Sequence, residues 1–135
     1  MLEAKILNEY RTVAIVGLSP DPNRPSHRVA SYLAGNGYKV IPVNPHAQEI
    51  LGERSYPDLG SIPKRVEIVD IFRRSEEVMP IVDEAVKIGA KAVWMQEGVI
   101  NEKAASKARE AGLLVVMNKC MFKEHQRLNK KLSMK

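Results

Sequence analysis

Five short apolar runs rich in β-branched residues constrain this 135-residue chain more than any other feature. They are TVAIVG (Thr12–Gly17), KVIPV (Lys39–Val43), EIVDIF (Glu67–Phe72), AVWMQ (Ala92–Gln96) and LLVVM (Leu113–Met117). Runs that are apolar at consecutive positions, rather than at alternate ones, belong to strands covered on both faces, as in parallel sheets. Parallel strands need crossovers, and the spacing supplies helices for them. Ser26 reads as the N-cap of a helix that pairs Val29 with Leu33 and Ala30 with Ala34, closed by Gly35 and Gly37. Ser75 reads as the cap of a second helix, to about Ile88, with Glu76 and Glu77 in its first turn and Gly89 beyond its end. Asn101 reads as the cap of a third, with Gly112 at its close. Leu2–Tyr10 has the spacing of a short amphipathic helix, and the chain beyond Cys120 reads as a last, basic helix. Pro42 marks the second strand as an edge strand or a strand end. Asn44–Pro63, rich in turn residues, is expected to hold only short elements. The expected fold class is therefore α/β, a single doubly wound Rossmann-like domain. Its parallel sheet has about five strands with helices on both faces, a core over about 10–120 and a basic helix or tail over 121–135.

Composition narrows the function. Charged residues make up 27% and apolar residues 44%, the balance of a water-soluble globular chain. No apolar run approaches the roughly 20 residues a membrane helix needs, so no membrane partner is expected. The N-terminus carries Glu3 and Glu9 and lacks a signal-peptide pattern, and the expected location is cytoplasmic. A lone cysteine forms no internal disulfide, and no Cys/His cluster points to a metal. The net charge of +5 comes from one place, the segment carrying Lys119, Lys123, Arg127, Lys130, Lys131 and Lys135 against Glu124. The remainder is balanced, so the body of the domain is not a nucleic-acid surface, and the tail reads as a solvated helix with a frayed end.

Ligands of open α/β sheets sit beyond the carboxyl ends of the strands. Here those ends carry Gly17-Leu18-Ser19, Val43-Asn44-Pro45, Phe72-Arg73-Arg74, Gln96-Glu97-Gly98 and Asn118-Lys119-Cys120. A glycine after the first strand permits a tight turn and close approach to a phosphate. The helix that follows aims its free N–H groups at the same place, flanked by Arg24 and Arg28. Together these make a diphosphate site. Yet only the first glycine of a dinucleotide fingerprint is present, and Val43-Asn44-Pro45 offers no acid for the ribose hydroxyls of NAD. A ligand with an additional phosphate is favoured, because Arg73 and Arg74 stand at the next strand end and arginine grips phosphate with a planar fork.

The segments GLSPDPNRPSHRVASYL, GYKVIPVNP, GERSYPDL, IVDIFRR and AVWMQEGVINEKAASKAREAGLLVVMNKC, in that order from about Tyr10 to Cys120, resemble the small stand-alone CoA-binding proteins. These are relatives of the CoA-binding domain of the succinyl-CoA synthetase α subunit. The resemblance implies coenzyme A, free or acylated, as ligand. It implies that Gly17, Leu18, Ser19, Arg24 and Ser26 hold the diphosphate, and that Val43, Asn44 and Pro45 line the adenosine pocket. Phe72, Arg73 and Arg74 would meet either the adenine–ribose side or the 3′-phosphate. Gln96, Glu97 and Gly98 would border the pantetheine arm, with Asn118 and Cys120 near its thiol end. The phosphohistidine chemistry of the synthetase belongs to a domain absent here, and His27, His46 and His125 follow none of its context.

No Ser-His-Asp or Cys-His arrangement appears, so a non-catalytic carrier or regulatory module is the leading expectation, with a homo-oligomer or a protein partner as further possibilities. An enzyme using NADP or an acyl-CoA is the alternative, resting on Glu97 and Cys120, and an interaction role for the basic tail is a third. Lys119 beside Cys120 would favour a thiolate and so a mixed disulfide with CoA; the commoner fate of a lone cysteine is burial. Asp70, inside a hydrophobic strand, is expected to be a buried carboxylate satisfied by backbone N–H groups, and Trp94 and Met95 to belong to the core.

Overall fold

The apolar runs form strands. In the computed structural model, which describes residues 1–133, β1 (Thr12–Val16), β2 (Lys39–Val43), β5 (Ile68–Ile71), β6 (Ala92–Met95) and β7 (Leu114–Val116) build one parallel sheet. Its order is β2-β1-β5-β6-β7. Nearly every strand residue is buried, as runs without alternation demand. From β1 the chain crosses to β2 on one side, then passes back over β1 to lay β5 on the other. The strand order therefore reverses between β1 and β5.

The reversal also sorts the helices. One face carries α1 (Leu2–Glu9), α2 (Pro25–Gly35) and α5 (Met121–Ser133), which close a core of Ile6, Leu7, Ile15, Val29, Leu33, Trp94 and Met121. The other carries α3 (Val78–Lys87) and α4 (Glu102–Glu110), packed on Ala14, Val69, Val93 and Val115 through Val82, Ala85 and Ala108. Each fully buried Leu, Ile or Met contributes about 1.5–3 kcal/mol over its exposed state. Trp94 and Met95 are fully buried, as expected, and the Trp94 indole N–H donates to the Lys119 carbonyl at 2.8 Å.

The turn-rich stretch holds a two-stranded antiparallel ribbon, β3 (Glu49–Ile50) and β4 (Glu53–Arg54), and a 3-10 turn at Leu59–Ser61. Beyond the ribbon the chain runs along β2. The Tyr56 N–H donates to the Pro42 carbonyl at 3.0 Å, and the Asn44 N–H to the Tyr56 carbonyl at 2.9 Å. Pro42 is tolerated because β2 is an edge strand and the missing N–H faces away from β1.

Three expectations need correction. Ser26 does not cap α2. The helix begins at Pro25, whose lack of an N–H costs nothing at that position, and the Ser26 side chain is buried, facing the preceding loop. Ser75 opens a 3-10 turn (Ser75–Glu77) ahead of α3, and its hydroxyl instead accepts from the Ile100 N–H at 2.9 Å. The segment after Cys120 is more than a solvated tail. Met121, Glu124 and His125 of α5 are buried, and Phe122 stacks on Tyr32 of α2 with ring centroids 3.9 Å apart. Asn101 caps α4 as expected, accepting from the Ala104 N–H at 3.0 Å. Met134 and Lys135, the end of the expected tail, lie outside the described residues.

Candidate functional site

A cleft of about 790 Å³ opens at the carboxyl ends of β1, β2 and β5, where the strand order reverses. Its floor begins at Gly17. This residue has φ +86°, and a Cβ there would lie 2.3 Å from the Phe72 carbonyl oxygen and 3.1 Å from Cδ of Arg73. The glycine is required first by the close packing of the β1 turn on the end of β5. The sequence pointed to a tight turn and a phosphate there, but not to the contact with the end of β5.

The loop after Gly17 is held from within. The Ser19 N–H donates to Oγ of Ser26 at 3.0 Å, Nδ1 of His27 lies 2.9 Å from the Ser19 carbonyl, and the Asp21 N–H donates to Oγ of Ser19 at 3.1 Å. From the β2 side, Nδ2 of Asn44 donates to the Leu18 carbonyl at 2.9 Å, and its Oδ1 accepts from the His46 N–H at 2.8 Å. The loop is thus ordered by side chains of α2 and of the β2 turn. Ser26 Oγ accepts from the loop and keeps its own proton to donate. Arg24 stands exposed at the helix mouth and makes no ion pair among the described residues.

Of the residues singled out from the sequence, Gly17, Ser19, Arg24, Ser26, Val43, Asn44, Pro45, Phe72 and Arg73 line this cleft. Leu18 does not; its side chain is fully buried in the core. Arg74 points outward, 78% exposed, with Nε 3.0 Å from Glu77 and 3.6 Å from Glu76. Arg73 places Nη2 2.7 Å from the other oxygen of Glu77. The two guanidiniums, Arg74 foremost, hold the Glu77 carboxyl below its usual range, and Glu77 raises Arg74 in turn.

Gln96, Gly98, Asn118 and Cys120 stand apart from the cleft lining, at the ends of β6 and β7. Asn118, at φ +59°, accepts through Oδ1 from the Gly98 N–H at 2.8 Å and so joins the two strand ends. Lys119, expected to activate Cys120, instead pairs with Glu3 of α1. Glu97 pairs with Lys123 at 2.9 Å. Gln96 is buried and donates through Nε2 to Oδ1 of Asp70 at 2.7 Å. Asp70 departs from expectation: Gln96, and not the backbone alone, partners its Oδ1, while Oδ2 has no partner among the described residues. Complete burial pushes its carboxyl up to about 8, against weaker opposition from Gln96 and the Ile71 N–H.

The sequence missed the outer wall. Asp58 and Leu59 of the 3-10 turn, and Pro80, Ile81 and Glu84 of α3, complete the cleft. Glu84 accepts from the Gly60 N–H at 3.2 Å, and Asp58 accepts from the Ser61 N–H at 2.9 Å. The only local signal was Asp58 three residues before Ser61, a turn cap; the rest comes from folding a turn-rich segment against a helix two elements away. Among the described residues no group of His, Cys, Asp and Glu is placed to hold a metal ion. No helix of the described residues is long and apolar enough to cross a membrane.

An all-parallel α/β sheet with a tight glycine turn and a donor-lined cleft at its switch point defines a Rossmann-like domain. Comparison with known proteins narrows this class. The model of the family described as "CoA binding domain" matches residues 11–126, and the chain belongs to that family. It is 37% identical over 121 residues to the uncharacterised protein YneT of Bacillus subtilis, covering 90% of each chain. A hypothetical protein of Pyrococcus horikoshii has a solved structure that superposes with a TM-score of 0.91 at 45% identity, covering 93% of this chain and 89% of that one. The chain is also 30% identical over 112 residues to acetate–CoA ligase [ADP-forming] II of Archaeoglobus fulgidus, covering 81% of this chain but only 17% of that enzyme.

Proposed function

We propose that this protein binds coenzyme A, free or acylated, in the cleft between β1 and β5, and that it acts by binding, without chemistry of its own. The observation that carries the reading is a donor set gathered around a pre-ordered loop. The Gly17–Ser19 loop, the mouth of α2 and the side chains of Arg24 and Arg73 converge where the strand order reverses. Backbone N–H groups, hydroxyls and guanidiniums suit a diphosphate, and the loop after Gly17 is held before any ligand arrives, so little of the loop's ordering entropy remains to be lost. Val43, Asn44 and Pro45 form the wall suited to the adenosine. The strand ends carrying Gln96, Gly98, Asn118 and Cys120 lie further along the same sheet margin, where a pantetheine arm would extend. Glu97 is held in an ion pair with Lys123, which disfavours it as a general base. The relation to an acetate–CoA ligase is one of a small part, and only the CoA-holding part of such chemistry is proposed for this chain.

The test is a calorimetric titration of the reduced protein with CoA, with NADP in parallel. Saturable binding of CoA at one site per chain, with NADP much weaker, is expected. Arg24→Ala should weaken it about tenfold, the scale of a hydrogen bond to a charged group. Tight NADP binding without a response to CoA would overturn the reading.

A further inference from the structure

The charge of the cleft is the wrong sign for a polyphosphate. Asp58, Glu76, Glu77 and Glu84 line it against Arg24 and Arg73. Two of these acids are spent on backbone N–H groups, Asp58 on Ser61 and Glu84 on Gly60. Glu76 lies against Arg74. Glu77 is the acid that matters to the cleft. Its Oε2 takes Nη2 of Arg73 and its Oε1 takes Nε of Arg74, so one carboxylate bridges both arginines at the end of β5. The Arg73 stem meanwhile passes beside the Gly17 turn, and Arg73 lines the cleft. Two guanidiniums converging on one anion is the arrangement that grips a phosphate.

We propose that Glu77 is an internal competitor for the ligand's phosphate. It holds Arg73 in the free protein, releases it when an anion enters, and thereby sets the affinity of the cleft. The inference rests on the CoA reading above and deepens it. Arg73 and Glu77 are 44% and 30% exposed, so the pair is solvated and its exchange for a phosphate carries no large desolvation barrier. An acid here also imposes selectivity. Singly charged ligands would gain too little from Arg73 to displace Glu77, whereas a phosphate dianion would do so. Glu77 acts here on Arg73, so it is a positioning residue.

The experiment titrates CoA into the wild type, Glu77→Gln, Arg73→Gln and the double variant, each at low and at physiological salt. Glu77→Gln should bind CoA about fivefold tighter at low salt, the upper end for a solvated ion pair, and Arg73→Gln severalfold more weakly. In the Arg73→Gln background the Glu77→Gln change should lose most of its effect, a non-additivity that a merely structural role for Glu77 would not produce. Glu77→Ala, which removes the carboxylate without adding an amide, should show the same gain. The same titrations with dephospho-CoA locate the contact. A gain that disappears places Arg73 on the 3′-phosphate, and a gain that persists places it on the diphosphate; both support the competitor. Wild-type binding of CoA that Glu77→Gln and Glu77→Ala leave unchanged or weaken overturns the competitor and leaves the CoA reading standing. No CoA binding by the wild type overturns the CoA reading, and the competitor with it.

Discussion

Asp70 is the residue whose chemistry departs furthest from its type. Its neighbours in register are Ile15 on β1 and Trp94 on β6, both fully buried, so no opposite charge faces it across the sheet. With its carboxyl pushed up to about 8, it stays protonated in the folded chain at neutral pH, whereas the unfolded chain releases that proton near 3.8. Between those two values the folded state holds one more proton than the unfolded state. Stability from this residue is therefore full below about 4, falls as pH rises, and levels off above about 8. Urea unfolding at pH 5 and pH 8 should show the wild type losing about 2–4 kcal/mol across that interval, at roughly 1.4 kcal/mol per unit of pH. Asp70→Asn should be nearly flat, and equal slopes for the two proteins would refute the assignment. The sequence showed that Asp70 is buried, because its run is apolar on both sides. It did not show Gln96 as the partner, since that pairing depends on β5 and β6 lying side by side, which no local pattern encodes. Gly17, Ser19 and Arg24 were legible for the opposite reason: strand, turn and helix mouth are contiguous in the chain.

At the scale of the element, α5 carries the clearest revision. Its basic composition reads as a solvated end, but its apolar stripe does not. Met121 is fully buried, and His125 sits between Tyr32, whose hydroxyl lies 2.7 Å from Nδ1, and the edge of the Tyr38 ring. Burial, and then the nearby Arg11, hold the imidazole below its ordinary value. The stability it confers is thus complete above 6.5 and is lost as pH falls below that, opposite in sign to Asp70. Deleting 121–135 would remove Met121, Phe122 and His125 and uncover the surfaces of α1 and α2 beneath them. Such a loss is at least about 3–5 kcal/mol, a large share of the 5–15 kcal/mol that holds a domain folded. The shortened chain should show no cooperative thermal transition by circular dichroism; a transition at the wild-type temperature would mean that α5 is dispensable.

Considered whole, the molecule separates charge from site. The cleft faces the switch point, bounded by α2, α3 and the turn at Leu59–Ser61. The basic residues of the last turns lie on α5, beyond the last residue of that helix that is buried. Removing residues 129–135 takes away Lys130, Lys131 and Lys135 and no acid. Because exposed charges beyond a Debye length of about 8 Å are screened at physiological salt, CoA affinity should stay within about twofold of the intact chain. A larger loss in the titration would mean that the tail reaches the ligand. The doubly wound class was legible because runs buried on both faces leave few alternatives. The strand order was not, since it depends on which way each crossover turns. The outer wall of the cleft was hidden for the same reason, as Leu59 and Pro80 become neighbours only once β5 has crossed to the far side of β1.

Pro42 has a consequence for how this domain meets its own kind. Sheet margins recruit foreign strands through a ladder of unmet donors and acceptors, and that recruitment seeds fibrils. On the β2 margin the proline withholds a donor, and the Tyr56 segment already occupies its carbonyl and the N–H of Asn44. The chain itself covers the Pro42–Asn44 end of that margin, which shortens the template that concentration alone could offer for polymerisation on the β2 side.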